Sequence, residues 1–174
     1  MKRSVIFVPL LLALFMLICG CGESETYEIR ECALSSFTAQ DLDGNIIDES
    51  VYAESKVTMI NVWGTFCEPC KEEIPALNEL NSEYPNGAFQ IIGIPINSYR
   101  TTDPYAATFL QENGITYKNI KVSNSVKPFI NSISSVPYTI FINAEGYQIG
   151  GAYAGSKTKN EWKKIIDGIL DFIN

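Results

Sequence analysis

The chain has no histidine. That absence removes imidazole acid–base catalysis, Ser-His and Cys-His nucleophile pairs, and every metal site that depends on imidazole. Basic residues are also scarce: 13 Lys and Arg against 20 Asp and Glu leave a net charge of −7. Lys2 and Arg3 are the only charges in the first twenty residues, so the remainder is more acidic still. A surface of that sign repels phosphate and argues against a nucleic-acid partner. Glycine and proline are too few for a fibrous or disordered chain. The longest apolar run, residues 5–18, contains Pro9 and falls short of the roughly 20 residues that a transmembrane helix needs. There is no internal repeat and no low-complexity segment. What is present, 174 residues of which 46% are hydrophobic, suits one globular domain with a real core.

The N-terminus has the parts of an export signal: a basic start, an apolar stretch, then small residues. Ile18, Gly20 and Cys21 fit a bacterial lipobox, which has an aliphatic residue, a small residue and then the cysteine that is acylated. The segment therefore resembles a lipoprotein signal, with Cys19 an unusual residue before the glycine. The resemblance implies cleavage after Gly20 and lipidation of Cys21. An uncleaved membrane anchor is the alternative, and both place the domain at the outer face of a membrane. Residues 1–20 are thus read as the signal, 21–32 as a polar flexible tether, and 33–174 as the folded domain.

Within that domain, residues 37–39 and 45–47 flank Asp43-Gly44 and read as a hairpin. Residues 57–62 and 89–96 read as strands buried on both faces. Residues 66–84 carry Cys70, Ile74, Leu77, Leu80 and Tyr84 at helical spacing. Asp103-Pro104 looks like an N-cap and first helical position for a helix over 103–113 that closes at Gly114. A short helix over 127–133, strands over 138–143 and 147–152, and an amphipathic helix over 158–173 follow. This order predicts an α/β fold with a mixed central sheet.

Five cysteines are present. With Cys19 leaving in the signal and Cys21 lipidated, Cys32, Cys67 and Cys70 remain; Cys32 reads as a buried or idle thiol. Cys67-Glu68-Pro69-Cys70 follows a buried strand and opens a helix. A thiolate is the attacking species in disulfide exchange, and a helix N-terminus stabilises negative charge. Cys67 would attack a substrate disulfide, and Cys70, one turn inward, would resolve the mixed disulfide. A purely structural bridge is a competing reading, although so small a ring adds little loop-closure stabilisation. Zinc is another, although about four ligands are needed and no second Cys-x-x-Cys exists. No metal and no cofactor beyond the redox-active pair is expected.

Trp63 to Pro75 reads WGTFCEPCKEEIP. This resembles the active-site segment W-x-x-x-C-x-P-C-x-x-E-x-P of TlpA/ResA-like extracytoplasmic thioredoxin-fold proteins. Trp63, Cys67, Pro69, Cys70, Glu73 and Pro75 match, and Phe66 replaces a common tryptophan. The likeness extends from about Ala33 to the C-terminus. It implies a thioredoxin fold with an N-terminal β-hairpin, a central α/β insertion over residues 96–125, and a cis proline at Pro137. Val136 beside it would pair with an extended substrate, and Trp63 would fill the core or shield the thiols. Glu73, one turn beyond Cys70, would hold the Cys70 proton and later accept it. Pro75 implies a kinked helix.

The expected function is reduction of disulfides in exported proteins by a monomeric, membrane-anchored protein that is recharged by a membrane thiol carrier. The family suggests cytochrome c biogenesis, envelope quality control or methionine sulfoxide reductase support as destinations. A disulfide-forming oxidase is the main alternative, and Glu68 and Glu73 beside the pair argue against the strongly stabilised thiolate it needs. A thiol peroxidase would carry P-x-x-x-T-x-x-C, where this chain has Ile60 and Gly64. A non-catalytic binding lipoprotein is disfavoured by the intact cysteine pair.

Overall fold

The computed structural model describes residues 27–174. The expected signal, Cys19 and Cys21 lie outside the described residues.

The first element is a two-residue strand, β1 (Ile29–Arg30), followed by the hairpin β2 (Thr38–Gln40) and β3 (Ile46–Asp48), which pairs Ala39 with Ile47. Gly44 sits in the turn at φ +96°, a conformation that glycine adopts without steric cost. A short 3-10 helix, Glu49–Glu54, leads into β4 (Val57–Trp63). All seven β4 residues are buried, which accounts for the near-continuous apolar run there. α1 (Glu68–Glu83), β5 (Phe89–Pro95), α2 (Ala106–Glu112), β6 (Lys118–Asn119), α3 (Lys127–Ser132), β7 (Tyr138–Asn143), β8 (Gln148–Ala154) and α4 (Lys159–Ile173) complete the chain.

Six strands form one mixed sheet in the order β1-β8-β7-β4-β5-β6. β4 runs parallel to β5 and antiparallel to β7. Side chains alternate across the sheet, so Val57, Met59 and Trp63 face α1 and α4, while Ile60 and Val62 face α3 and the hairpin. α4 begins with a capping box in which Thr158 and Glu161 satisfy each other's backbone N–H groups. Such a cap contributes about 1 kcal/mol. The insertion supplies α2 and β6, and an isolated bridge between Asp41 and Ile120 ties the hairpin to it.

Two expectations are corrected. The tether read over 21–32 is too long. Ile29 and Arg30 pair with Ile149 and Gln148, Cys32 is buried, and the Tyr27 ring lies 5.8 Å from Phe172. The signal was hidden because so short an edge strand carries no periodicity of its own. The helix expected from Asp103 starts only at Ala106. One Asp103 oxygen does accept the Tyr105 N–H at 2.9 Å, but the other is drawn to Thr65. α1 continues through Pro75, which offers no N–H to the Lys71 carbonyl.

Candidate active site

β4 ends at Trp63, and four residues later Cys67 is the N-cap of α1. The connection is held from several sides. The Cys67 N–H donates to the Gly64 carbonyl at 3.0 Å. Asp103, 3% exposed, accepts the Thr65 N–H at 2.9 Å and the Thr65 hydroxyl at 2.6 Å. Gly64 is required by close approach: a Cβ there would lie 2.4 Å from the Ile96 carbonyl oxygen and 2.5 Å from the Phe66 ring. Asp103 was missed as part of the site because its local sequence is a cap pattern and its partner lies 38 residues away.

Cys67 and Cys70 are joined in a disulfide with Cα atoms 5.3 Å apart. The Cys70 backbone N–H, in the first turn of the helix, is shared between the Cys67 carbonyl at 3.1 Å and the Cys67 sulfur at 3.3 Å. Cys67 is 8% exposed and Cys70 is fully buried. The Val136–Pro137 bond is cis, and the Val136 carbonyl oxygen stands 3.6 Å from the Cys67 sulfur. A groove of about 460 Å³ opens over Cys67, with Phe66 and Pro69 on one side and Ser134, Ser135 and Val136 on another. The structure therefore brings Cys67, Pro69 and Val136 together at one groove, with Pro137 buried next to Val136 in the chain.

Trp63 and Glu73 lie beneath that surface. Trp63 is fully buried and donates its ring N–H to Asn119 at 3.0 Å. It belongs to the same apolar cluster as both cysteines, so its place is in the core, while exposed Phe66 is the aromatic beside the groove. Glu73 is 4% exposed. Its carboxylate accepts from the Asn61 amide at 3.2 Å, the Lys157 backbone N–H at 3.1 Å and the Trp162 ring N–H at 3.2 Å. Burial pushes the Glu73 carboxyl above the ordinary glutamate range, and these hydrogen bonds only partly offset it. Asn61 also explains itself here: it is the polar residue on the apolar face of β4, placed opposite Glu73. Glu68, by contrast, is exposed and paired with Lys71 at 2.6 Å.

Cys32 is the free thiol among the described residues, buried, with its proton affinity raised by desolvation. Among those residues no cluster of three His, Cys, Asp or Glu side chains is placed to hold a metal ion.

Comparison with known proteins agrees with this geometry. The profile of the AhpC/TSA family matches residues 31–161. The thiol-disulfide oxidoreductase ResA of Halalkalibacterium halodurans is 30% identical over 134 residues, covering 76% of this chain and 72% of that protein. A thiol:disulfide interchange protein of the thioredoxin family from Chlorobium tepidum superposes with a TM-score of 0.67 at 23% identity, covering 82% of this chain and 99% of the other. StoA from Bacillus subtilis superposes with a TM-score of 0.60 at 19% identity, covering 74% and 94% respectively.

Proposed function

This chain belongs to the AhpC/TSA family as a ResA-like thiol–disulfide oxidoreductase of thioredoxin fold, and from that premise we propose that it works as a reductase of exported proteins, anchored at the outer face of the membrane through Cys21. The observation that carries the site is the placement of Cys67 at a helix N-terminus, facing the groove beside the Val136 carbonyl.

The reaction follows from the positions. In the reduced protein the Cys67 thiolate, favoured by the N-terminal amides of α1, attacks one sulfur of a substrate disulfide. The S–S bond breaks, a mixed disulfide forms, and the first substrate sulfur leaves as a thiolate that takes up a proton. Cys70 then gives its proton to the Glu73 carboxylate and attacks the Cys67 sulfur, releasing the second substrate thiolate. Two electrons have passed to the substrate, and the Cys67–Cys70 disulfide remains. A membrane thiol carrier returns those electrons.

The reductive direction is supported by charge. Buried Glu73, one turn beyond Cys70, disfavours the strongly stabilised thiolate of an oxidase, whereas Glu68 next to Cys67 is paired with Lys71 and adds little. The lipobox residues Ile18, Gly20 and Cys21 support the location. A peroxidase reading loses on sterics. The place that its pattern gives to threonine is Gly64, where even a Cβ meets the Ile96 carbonyl, and the place it gives to proline is Ile60, paired in the middle of β4.

The test of direction is the reduction potential of the Cys67–Cys70 couple, measured by equilibration with a thiol buffer. The expected value lies closer to the about −270 mV of a reducing thioredoxin than to the about −120 mV of a strong oxidase. A value near the oxidising end would reverse the assignment.

A further inference from the structure

The groove over Cys67 contains a cation that the exchange chemistry does not use. Arg100 lines it from the 97–101 turn. That turn is built around Asn97, whose side-chain oxygen accepts the N–H groups of Tyr99 and Thr101 and the Thr101 hydroxyl. The Asn97 N–H also donates to the Thr101 carbonyl at 2.8 Å, and the Arg100 N–H to the Asn97 carbonyl at 2.9 Å. At its apex Arg100 has φ +60°, the left-handed region that residues with a Cβ seldom occupy. A glycine would fit that backbone without cost, so the side chain is the reason for an arginine there.

Its guanidinium is held but not neutralised. One nitrogen donates to the Ile130 carbonyl at 2.9 Å, which fixes the side chain between the turn and α3. Among the described residues Arg100 is in no ion pair, and the one carboxylate lining the same groove, Glu68, is engaged by Lys71. In a chain of net charge −7, the groove that opens over the attacking sulfur thus also presents a positioned, uncompensated positive charge. A planar guanidinium with donors to spare is suited to a carboxylate.

We propose that Arg100 is a specificity-determining residue that binds a carboxylate of the substrate polypeptide, so that the groove prefers disulfides flanked by acidic residues. This rests on the reading of the groove as the substrate site of a thiol–disulfide oxidoreductase. The groove's continuity with Val136 places the partner as an extended polypeptide, with Cys67 at its disulfide and Arg100 at a neighbouring acidic side chain.

The test is a series of disulfide-bridged peptides that are identical except for Glu, Gln or Lys beside the cysteines, reduced by the wild-type protein. Expected kcat/KM is about threefold to tenfold higher for Glu than for Gln, and lower again for Lys, with the ratios shrinking at high salt. In Arg100→Gln the ratio of Glu to Gln peptide falls towards one, and Arg100→Lys restores part of it. Equal rates across the series in the wild-type protein overturn the proposal whatever the variants do, because a merely structural arginine predicts no dependence on peptide charge. Hydroxyethyl disulfide, which carries no charge, separates the two readings. If the wild-type protein reduces it while the peptides react equally, only the role of Arg100 falls. If it reduces neither, the assignment of the groove falls as well.

Discussion

At the scale of single residues, the molecule contrasts two buried acids of different use. Cys32 is a buried thiol that does not line the groove, and desolvation raises its proton affinity. Glu73 is a carboxyl whose proton affinity is raised by burial yet which retains three hydrogen-bond donors to hold its charged form. It can therefore exist in both states, as a proton acceptor for Cys70 must. Glu73→Gln is expected to slow disulfide exchange near neutral pH by about tenfold or more, while making Cys70 alkylate faster because the neighbouring negative charge is gone. Exposed Glu72→Gln is the control, and indistinguishable exchange rates in the two variants would contradict the role. The same raised proton affinity has a signature in stability. As pH rises through the ordinary glutamate range, the unfolded chain releases this proton first while the folded chain keeps it, so folding stability falls until the folded group also ionises. The variant lacks that fall. Its Tm relative to wild type should therefore rise as pH is raised from about 4 to neutral.

At the scale of elements, the junction of β4 and α1 is what turns a cysteine pair into a reactive one. It was legible in the sequence because strand, cysteine and helix signals are all local there: an apolar run, then Cys67, Pro69 and a helical stripe. The mixed sheet, the hairpin and the amphipathic α4 were legible for the same reason, although the Thr158 cap was not read. Contacts that close over long separations were not. Asp103 reads as a cap but clamps Thr65, Arg100 sits in a loop without helix or strand pattern, and β1 owes its existence to the free edge of β8. Trp63 was ambiguous because an aromatic at the end of a strand can face either the core or the mouth of a site; Asn119, from the insertion, holds it in the core. Gly64 links these levels. Gly64→Ala should cost about 1–3 kcal/mol by thermal or urea denaturation, since its Cβ would press on the Ile96 backbone and the Phe66 ring. Exchange activity should fall with it, because moving residues 64–67 moves Cys67. Unchanged stability and activity would show the junction to be slack.

At the scale of the whole molecule, the described domain is acidic, and no helix among its described residues is long and apolar enough to cross a membrane. In the proposed arrangement lipid on Cys21 supplies the attachment, and the short stretch between Cys21 and Tyr27 keeps the domain close to the surface. Cys21→Ser should release the protein from membranes or leave an unprocessed precursor; a mature chain beginning at an unmodified Cys21 and still retained on membranes would refute the anchor. All of this serves one chemical claim, that Cys67 is the attacking thiol and Cys70 the resolving one. The direct measurement is the rate at which each cysteine of the reduced protein is alkylated by iodoacetamide, read by mass spectrometry. The expected result is rapid modification of Cys67, which faces the groove, with Cys70 and Cys32 slow. Equal rates for the pair, or faster labelling of Cys70, would contradict the account.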